Sequence, residues 1–199
     1  MYSTNVRILL MKHLIPSGLL CLCLVLASCC RQDDCKTPKN PIIPETMENW
    51  KTVLKEKLPF LGHRNWIVVT DMAYPLQTKS GIITLFADEP FQDVVSCVNG
   101  LIAESPHVFA HVYLDSEQQA MSEQLAPGWD AYRQGLSKAL DQKDIAYIPH
   151  EELIHRLDEV SQLCQVIIIK TNLTIPYSSA FFELDCAYWD ADREKAIRQ

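Results

Sequence analysis

Apolar positions in this chain alternate between two spacings, and that alternation sets the fold class. Trp66-Ile67-Val68-Val69-Thr70 is a continuous, mostly β-branched run closed by Asp71, which predicts a buried strand. Similar runs predict strands over 81–86, 107–114, 145–148, 165–170 and 180–184, the strongest being Gln165-Val166-Ile167-Ile168-Ile169-Lys170. Helical spacing fills the gaps. It predicts a helix over 45–58, with Thr46 as cap and Pro59 as stop, and another over 90–103 with Asp88 near its cap. Two amphipathic helical stretches are expected between 117 and 142, and a further helix over 151–160. Strands that are apolar throughout and alternate with helices imply an α/β fold, a mainly parallel sheet with helices on both faces. No internal repeat is visible, and no second domain boundary follows residue 41, so 42–199 is one domain.

Composition narrows the function more than the fold. With 199 residues, 48% apolar and 22% charged, the chain can bury a sizeable core. Its formal charge is −7, with no basic cluster, which excludes nucleic acid as a partner because phosphate contacts supply most of that affinity. Only six glycines occur, without GxGxxG or GxxxxGK[ST] patterns, so dinucleotide and P-loop chemistry are excluded too.

The amino-terminal segment reads as an address. Residues 1–28 hold Arg7 and Lys12, no acid, and a short apolar run from Leu14 to Val25. The run ends in Leu26-Ala27-Ser28-Cys29, which resembles the bacterial lipobox, where a signal peptide is cut before a cysteine that becomes lipidated. On this reading 1–28 is the signal peptide, Cys29 carries the lipid, 29–41 is a polar, proline-punctuated tether, and the protein is anchored in the bacterial cell envelope. An uncut signal anchor is the alternative. Of eight cysteines, Cys21 and Cys23 leave with the signal and Cys29 takes lipid. Cys30, Cys35, Cys97, Cys164 and Cys186 remain, an odd number without CxxC spacing, which argues against a zinc ribbon or redox motif. Cys97 and Cys164 fall in apolar patterns and are expected to be buried.

In open α/β sheets, ligands bind beyond the carboxyl ends of the strands. Asp71, His150 and Tyr177 fall there, each just past a predicted strand or in the loop that follows one. His63 instead precedes its strand, so the length of that strand, about 16 Å, separates it from Asp71. One subunit can hardly use both in one site; two neighbouring subunits can. His107, His111 and Asp115 share same-face spacing, yet no fourth ligand accompanies them and no metal site is assigned. His155 and Glu159 are expected on a solvated helix face.

These positions also carry a resemblance. The segment from Phe60 to Pro75, with Gly62-His63 before the strand and Asp71 and Pro75 after it, resembles the opening motif of the D-ribose pyranase and L-fucose mutarotase (RbsD/FucU) family. Ile148-Pro149-His150-Glu151 is similar to that family's His-Glu segment, and the stretch from Val166 to Ser179 resembles its closing strand and Pro-Tyr loop. The resemblance implies interconversion of monosaccharide ring or anomeric forms, without cofactor, in a ring-shaped homo-oligomer with sites between adjacent subunits. His63 then stands at the proton donor's position, and Asp71, His150, Tyr177 and Ser179 at sugar-binding ones. Opening a hemiacetal needs a proton for the ring oxygen and a base for the anomeric hydroxyl, and histidine can serve either role near neutral pH. The chain departs from the family pattern in three places. Asn172-Leu173 replaces Gly-Glu, Ser179 replaces Asn, and Met72-Ala73 replaces Ala-Gly. The alternatives are a saccharide-binding envelope lipoprotein of the same fold without turnover, and a structural lipoprotein with a vestigial pocket.

Overall fold

The computed structural model describes residues 49–141 and 144–198. The signal segment, Cys29, Cys30, Cys35, Thr46 and the tether lie outside the described residues. Among the described residues no helix is long and apolar enough to cross a membrane.

Helix α1, Trp50–Lys57, starts at Asn49, whose side chain accepts from the Lys51 amide at 2.9 Å. Pro59 turns its end into a short 3-10 segment. Then follow β1 (Trp66–Thr70), β2 (Ile82–Phe86), α2 (Phe91–Ala103) and β3 (Val108–Asp115). After a 3-10 turn over Ser116–Ala120 come α3 (Trp129–Leu140), β4 (Ile145–Ile148), α4 (His150–Val160), β5 (Val166–Lys170), β6 (Ala180–Cys186) and α5 (Ala191–Ile197).

The six strands form one sheet in the order β2-β5-β1-β6-β3-β4. Pairs β2–β5, β5–β1 and β3–β4 are parallel, as expected, whereas β6 runs antiparallel to both β1 and β3. The cause is local. A parallel return needs a crossover of a dozen or more residues, and only the loop 171–179 joins β5 to β6. This reversal brings the carboxyl end of β6 beside the amino ends of β1 and β3.

Side-chain alternation divides the core. Ile67 and Val69 of β1, with Ile167 and Ile169 of β5, pack against α1, α2 and α3. Trp66, Val68, Val166 and Ile168 point the other way, onto Leu153 and Leu157 of α4. Burial on both faces explains why these strands read as unbroken apolar runs.

Three elements differ from the sequence expectation. Where two helical stretches are expected between 117 and 142, the described residues 117–141 hold one α-helix, because Pro127-Gly128 breaks the run. Gly128 is left-handed (φ 93°), and the Glu123 carboxylate accepts from the amides of Gly128 (2.7 Å) and Asp130 (3.0 Å), satisfying the first donors of α3. Asp88 does not cap α2, whose start at Pro90 has no side-chain cap; it accepts from Asn172 Nδ2 at 2.7 Å instead. Helix α5 buries no residue, so it had no apolar stripe to reveal it.

Candidate active site

The carboxyl ends of β1 and β5 and the start of α4 enclose a cavity of about 460 Å³, lined by Asp71, Met72, Tyr74, His150, Pro176 and Tyr177 among others. Three sequence candidates thus meet in one place. Asp71 follows β1 and bends the chain by accepting from the Ala73 amide at 2.7 Å. Met72 N–H donates to Leu173 O at 2.8 Å, tying this loop to the one after β5. Lys170 Nζ donates to the Tyr74 carbonyl on the same side. Tyr177 is left-handed (φ 55°), an uncommon state for a bulky residue, and its ring meets the His150 ring edge-on with centroids 5.6 Å apart. The loop beneath it is pinned from inside: Ser178 Oγ donates to Ile175 O (2.7 Å) and Tyr132 Oη to Ser178 O (2.9 Å). Burial pushes the Tyr132 hydroxyl far up, so it stays a neutral donor.

His150 is held at two points. Its amide donates to both oxygens of Glu117 (3.2 and 3.1 Å), and its Nδ1 lies 3.0 Å from Asp115 Oδ1. Asp115 is fully buried at the end of β3, and its second oxygen has no partner. Burial raises this carboxyl to about 6, with the hydrogen bond and charge of His150 pulling against that rise. Neither Asp115 nor Glu117 was singled out by sequence as a partner of His150. They stand 35 and 33 residues before it, and only the parallel pairing of β3 with β4 brings them there.

His63 sits at the opposite end of β1. It occupies a turn closed by Asn65 N–H to Gly62 O (3.0 Å), with Arg64 left-handed at φ 71°. The turn is fastened to β6 through Arg64 N–H to Leu184 O (3.0 Å) and Leu184 N–H to Asn65 O (2.8 Å). Asp185 at the end of β6 therefore reaches His63, Oδ1 to Nδ1 at 2.6 Å, and its other oxygen lies 3.4 Å from His111 Nε2. A carboxylate only accepts, so the His63 proton is on Nδ1. Nε2 accepts from Arg64 Nε at 3.2 Å. Partial burial pushes the Asp185 carboxyl up, but the Cys186 amide, His63 and His111 together outweigh that and hold it below the ordinary range. Sequence reasoning missed Asp185, which lies 122 residues from His63.

The remaining candidates separate. His107 Nε2 pairs with Leu61 O, His111 with Asp185 and Asp115 with His150, so the three never converge. His155 and Glu159 form an exposed helix pair. Cys97, Cys164 and Cys186 form no disulfide among the described residues, and Cys97 and Cys164 are half-buried rather than buried. Ser179 is 1% exposed and does not line the cavity.

A profile of the RbsD / FucU transport protein family matches residues 51–185, from α1 to the end of β6. The chain belongs to the RbsD/FucU family. Among solved structures it is similar to Bacillus subtilis RbsD complexed with D-ribose, at 19% identity and TM-score 0.49, over 71% of this chain and 98% of that one. It is also similar to the Streptococcus pneumoniae fucose mutarotase in complex with L-fucose, at 18% identity and TM-score 0.45, over 73% and 97%. No curated protein matches its sequence. Two of the three departures from the RbsD/FucU pattern fall outside the cavity: Ser179, and Asn172-Leu173, where Asn172 bonds Asp88 and Leu173 packs against the core. Met72 does line it, 44% exposed beside Asp71.

Proposed function

We propose that this protein is a monosaccharide isomerase of the mutarotase or pyranase type, a ring-shaped homo-oligomer whose sites lie between adjacent copies of the chain. Asp71, His150 and Tyr177 of one copy hold the sugar hydroxyls, and His63 of its neighbour exchanges a proton with the ring oxygen. The convergence of Asp71, His150 and Tyr177 on one cavity, with His63 left a strand's length away, carries this reading. An Asp that accepts and a Tyr that both donates and accepts suit a ligand dense in hydroxyls. The His63–Asp185 pair suits proton transfer, because the carboxylate orients the ring and favours the imidazolium that donates. Substrate must displace Arg64 from Nε2 to engage it. Ser179 supports the alternative of binding without turnover, since a buried serine offers the sugar no amide. Anchoring in the bacterial envelope through Cys29 is part of the same proposal and rests on the lipobox pattern.

The test is NMR exchange spectroscopy on the purified full chain with D-ribose, L-fucose and common aldoses. Exchange between ring forms or anomers faster than in buffer is expected, falling about 10²-fold or more in His63→Ala. Shifted sugar resonances without faster exchange would establish a binding protein. No response to any sugar would sink both readings.

A further inference from the structure

His150 is fixed more firmly than sugar binding requires. Glu117 holds its amide, Asp115 its Nδ1, and Tyr177 packs against its ring edge-on. An ionised carboxylate cannot donate, so the neutral ring carries its proton on Nδ1, and the lone pair is on Nε2. Nε2 has no protein partner among the described residues, and the ring borders the cavity beside Asp71.

Asp115 is a costly way to hold a ring in place. It is fully buried, and one oxygen goes unpaired. An amide or hydroxyl could orient an imidazole without desolvating a charge. What only a carboxylate adds is stabilisation of the imidazolium that forms when Nε2 takes a proton.

We propose that Asp115 is a positioning residue that makes His150 the base of the isomerisation. This rests on the function proposed above. In the step, the anomeric O–H proton passes to His150 Nε2, and the electron pair left on that oxygen forms the carbonyl. The bond from the anomeric carbon to the ring oxygen breaks, and the ring oxygen takes a proton from His63 Nε2, which picks it up from water once Arg64 has left that nitrogen. Closure on the other face of the carbonyl, with both protons returned, gives the other anomer. Five groups bear on the ionisation of Asp115: His150 at the start of α4, Glu117 in the 3-10 turn, Asp71 and Tyr74 after β1, and Tyr132 on α3. His150 favours its carboxylate, and Glu117 and Asp71 oppose it.

The experiment has two readouts on the full chain. Imidazole ¹⁵N shifts at pH 7.5, without sugar, should show His150 protonated on Nδ1 and bare on Nε2, and Asp115→Asn should disturb that assignment. Sugar exchange in Asp115→Asn and His150→Gln should fall about 10²-fold or more in kcat, with KM little changed in Asp115→Asn and no further loss in the double variant. In the wild type, activity should decline as pH drops through about 6, and Asp115→Asn should move that limb. A wild-type His150 protonated on Nε2, or an Asp115→Asn chain that exchanges sugar at the wild-type rate, would overturn the inference and leave the isomerase standing. A wild type inert toward every sugar would overturn both.

Discussion

The sheet carries a histidine–carboxylate pair at each end, and the two differ in nearly everything except chemistry. His63–Asp185 is open, with the imidazole 59% exposed and the carboxylate bonded by three neighbours. His150–Asp115 is closed, with the carboxylate fully buried and one oxygen orphaned. Donors from Cys186, His63 and His111 hold Asp185 below its ordinary range, while burial lifts Asp115 to about 6. The same two side chains thus acquire opposite sensitivities. Topology supplies both: antiparallel β6 brings Asp185 to His63, and parallel β3 and β4 bring Asp115 under His150.

The largest expected effect breaks the comparison by separating its halves onto different chains. His63→Ala lacks the open pair, and His150→Gln lacks the closed one, so each alone should lose about 10²-fold or more of its exchange. If a site draws one pair from each of two copies, co-assembled equal mixtures restore about a quarter of the sites. Recovery of exchange on mixing, measured by the same NMR assay, is the expected outcome. Persistent silence would show that one chain does not lend His63 to another.

Neither pair was visible in the sequence, although the end of the sheet on which Asp71, His150, Tyr177 and His63 each lie was. Asp71, His150 and Tyr177 follow strands whose apolar runs are unmistakable, so their meeting at one edge could be deduced from strand direction alone. Strands β1 and β4 fall at the expected residues because continuous apolar runs have sharp polar ends. The reversal of β6 could not be read, since a strand buried on both faces has the same pattern in either direction. Without that reversal, Asp185 had no reason to be near His63. Asp115 was grouped instead with His107 and His111, whose spacing on one strand was the only local signal it offered.

Stability sharpens the contrast next. Asp115 has a folded value near 6 against an ordinary 3.8, so the folded state binds the extra proton between those values. Its penalty is fully present above pH 6 and relieved as pH falls toward 3.8. Asp185 behaves in the opposite sense: its folded value is depressed, so its contribution is present above the ordinary carboxylate range and lost as pH drops through the folded value. Asp115→Asn should therefore raise stability at pH 7, on the order of 2 kcal/mol, with the gain vanishing near pH 4. Asp185→Asn should lower stability at pH 7 and matter less in acid. Denaturant titrations at both pH values measure the two slopes. Equal signs would mean that the two carboxylates do not differ as their surroundings require.

The smallest expected effect concerns the backbone beside each pair. Arg64 and Tyr177 are both left-handed, at φ 71° and 55°, a conformation costing L-residues roughly 1–2 kcal/mol. Glycine removes that cost but adds freedom to the unfolded chain, so relief of about 1 kcal/mol or less is expected at either site. The two substitutions should nevertheless part company. Arg64→Gly removes a guanidinium that occupies His63 Nε2, so melting temperature should rise slightly with exchange kept or improved. Tyr177→Gly removes the ring that packs against His150 and borders the cavity, so stabilisation should come with weakened sugar affinity. Paired melting and sugar-titration curves decide it. If Tyr177→Gly binds sugar as the wild type does, the left-handed turn at the closed end holds no part of the site.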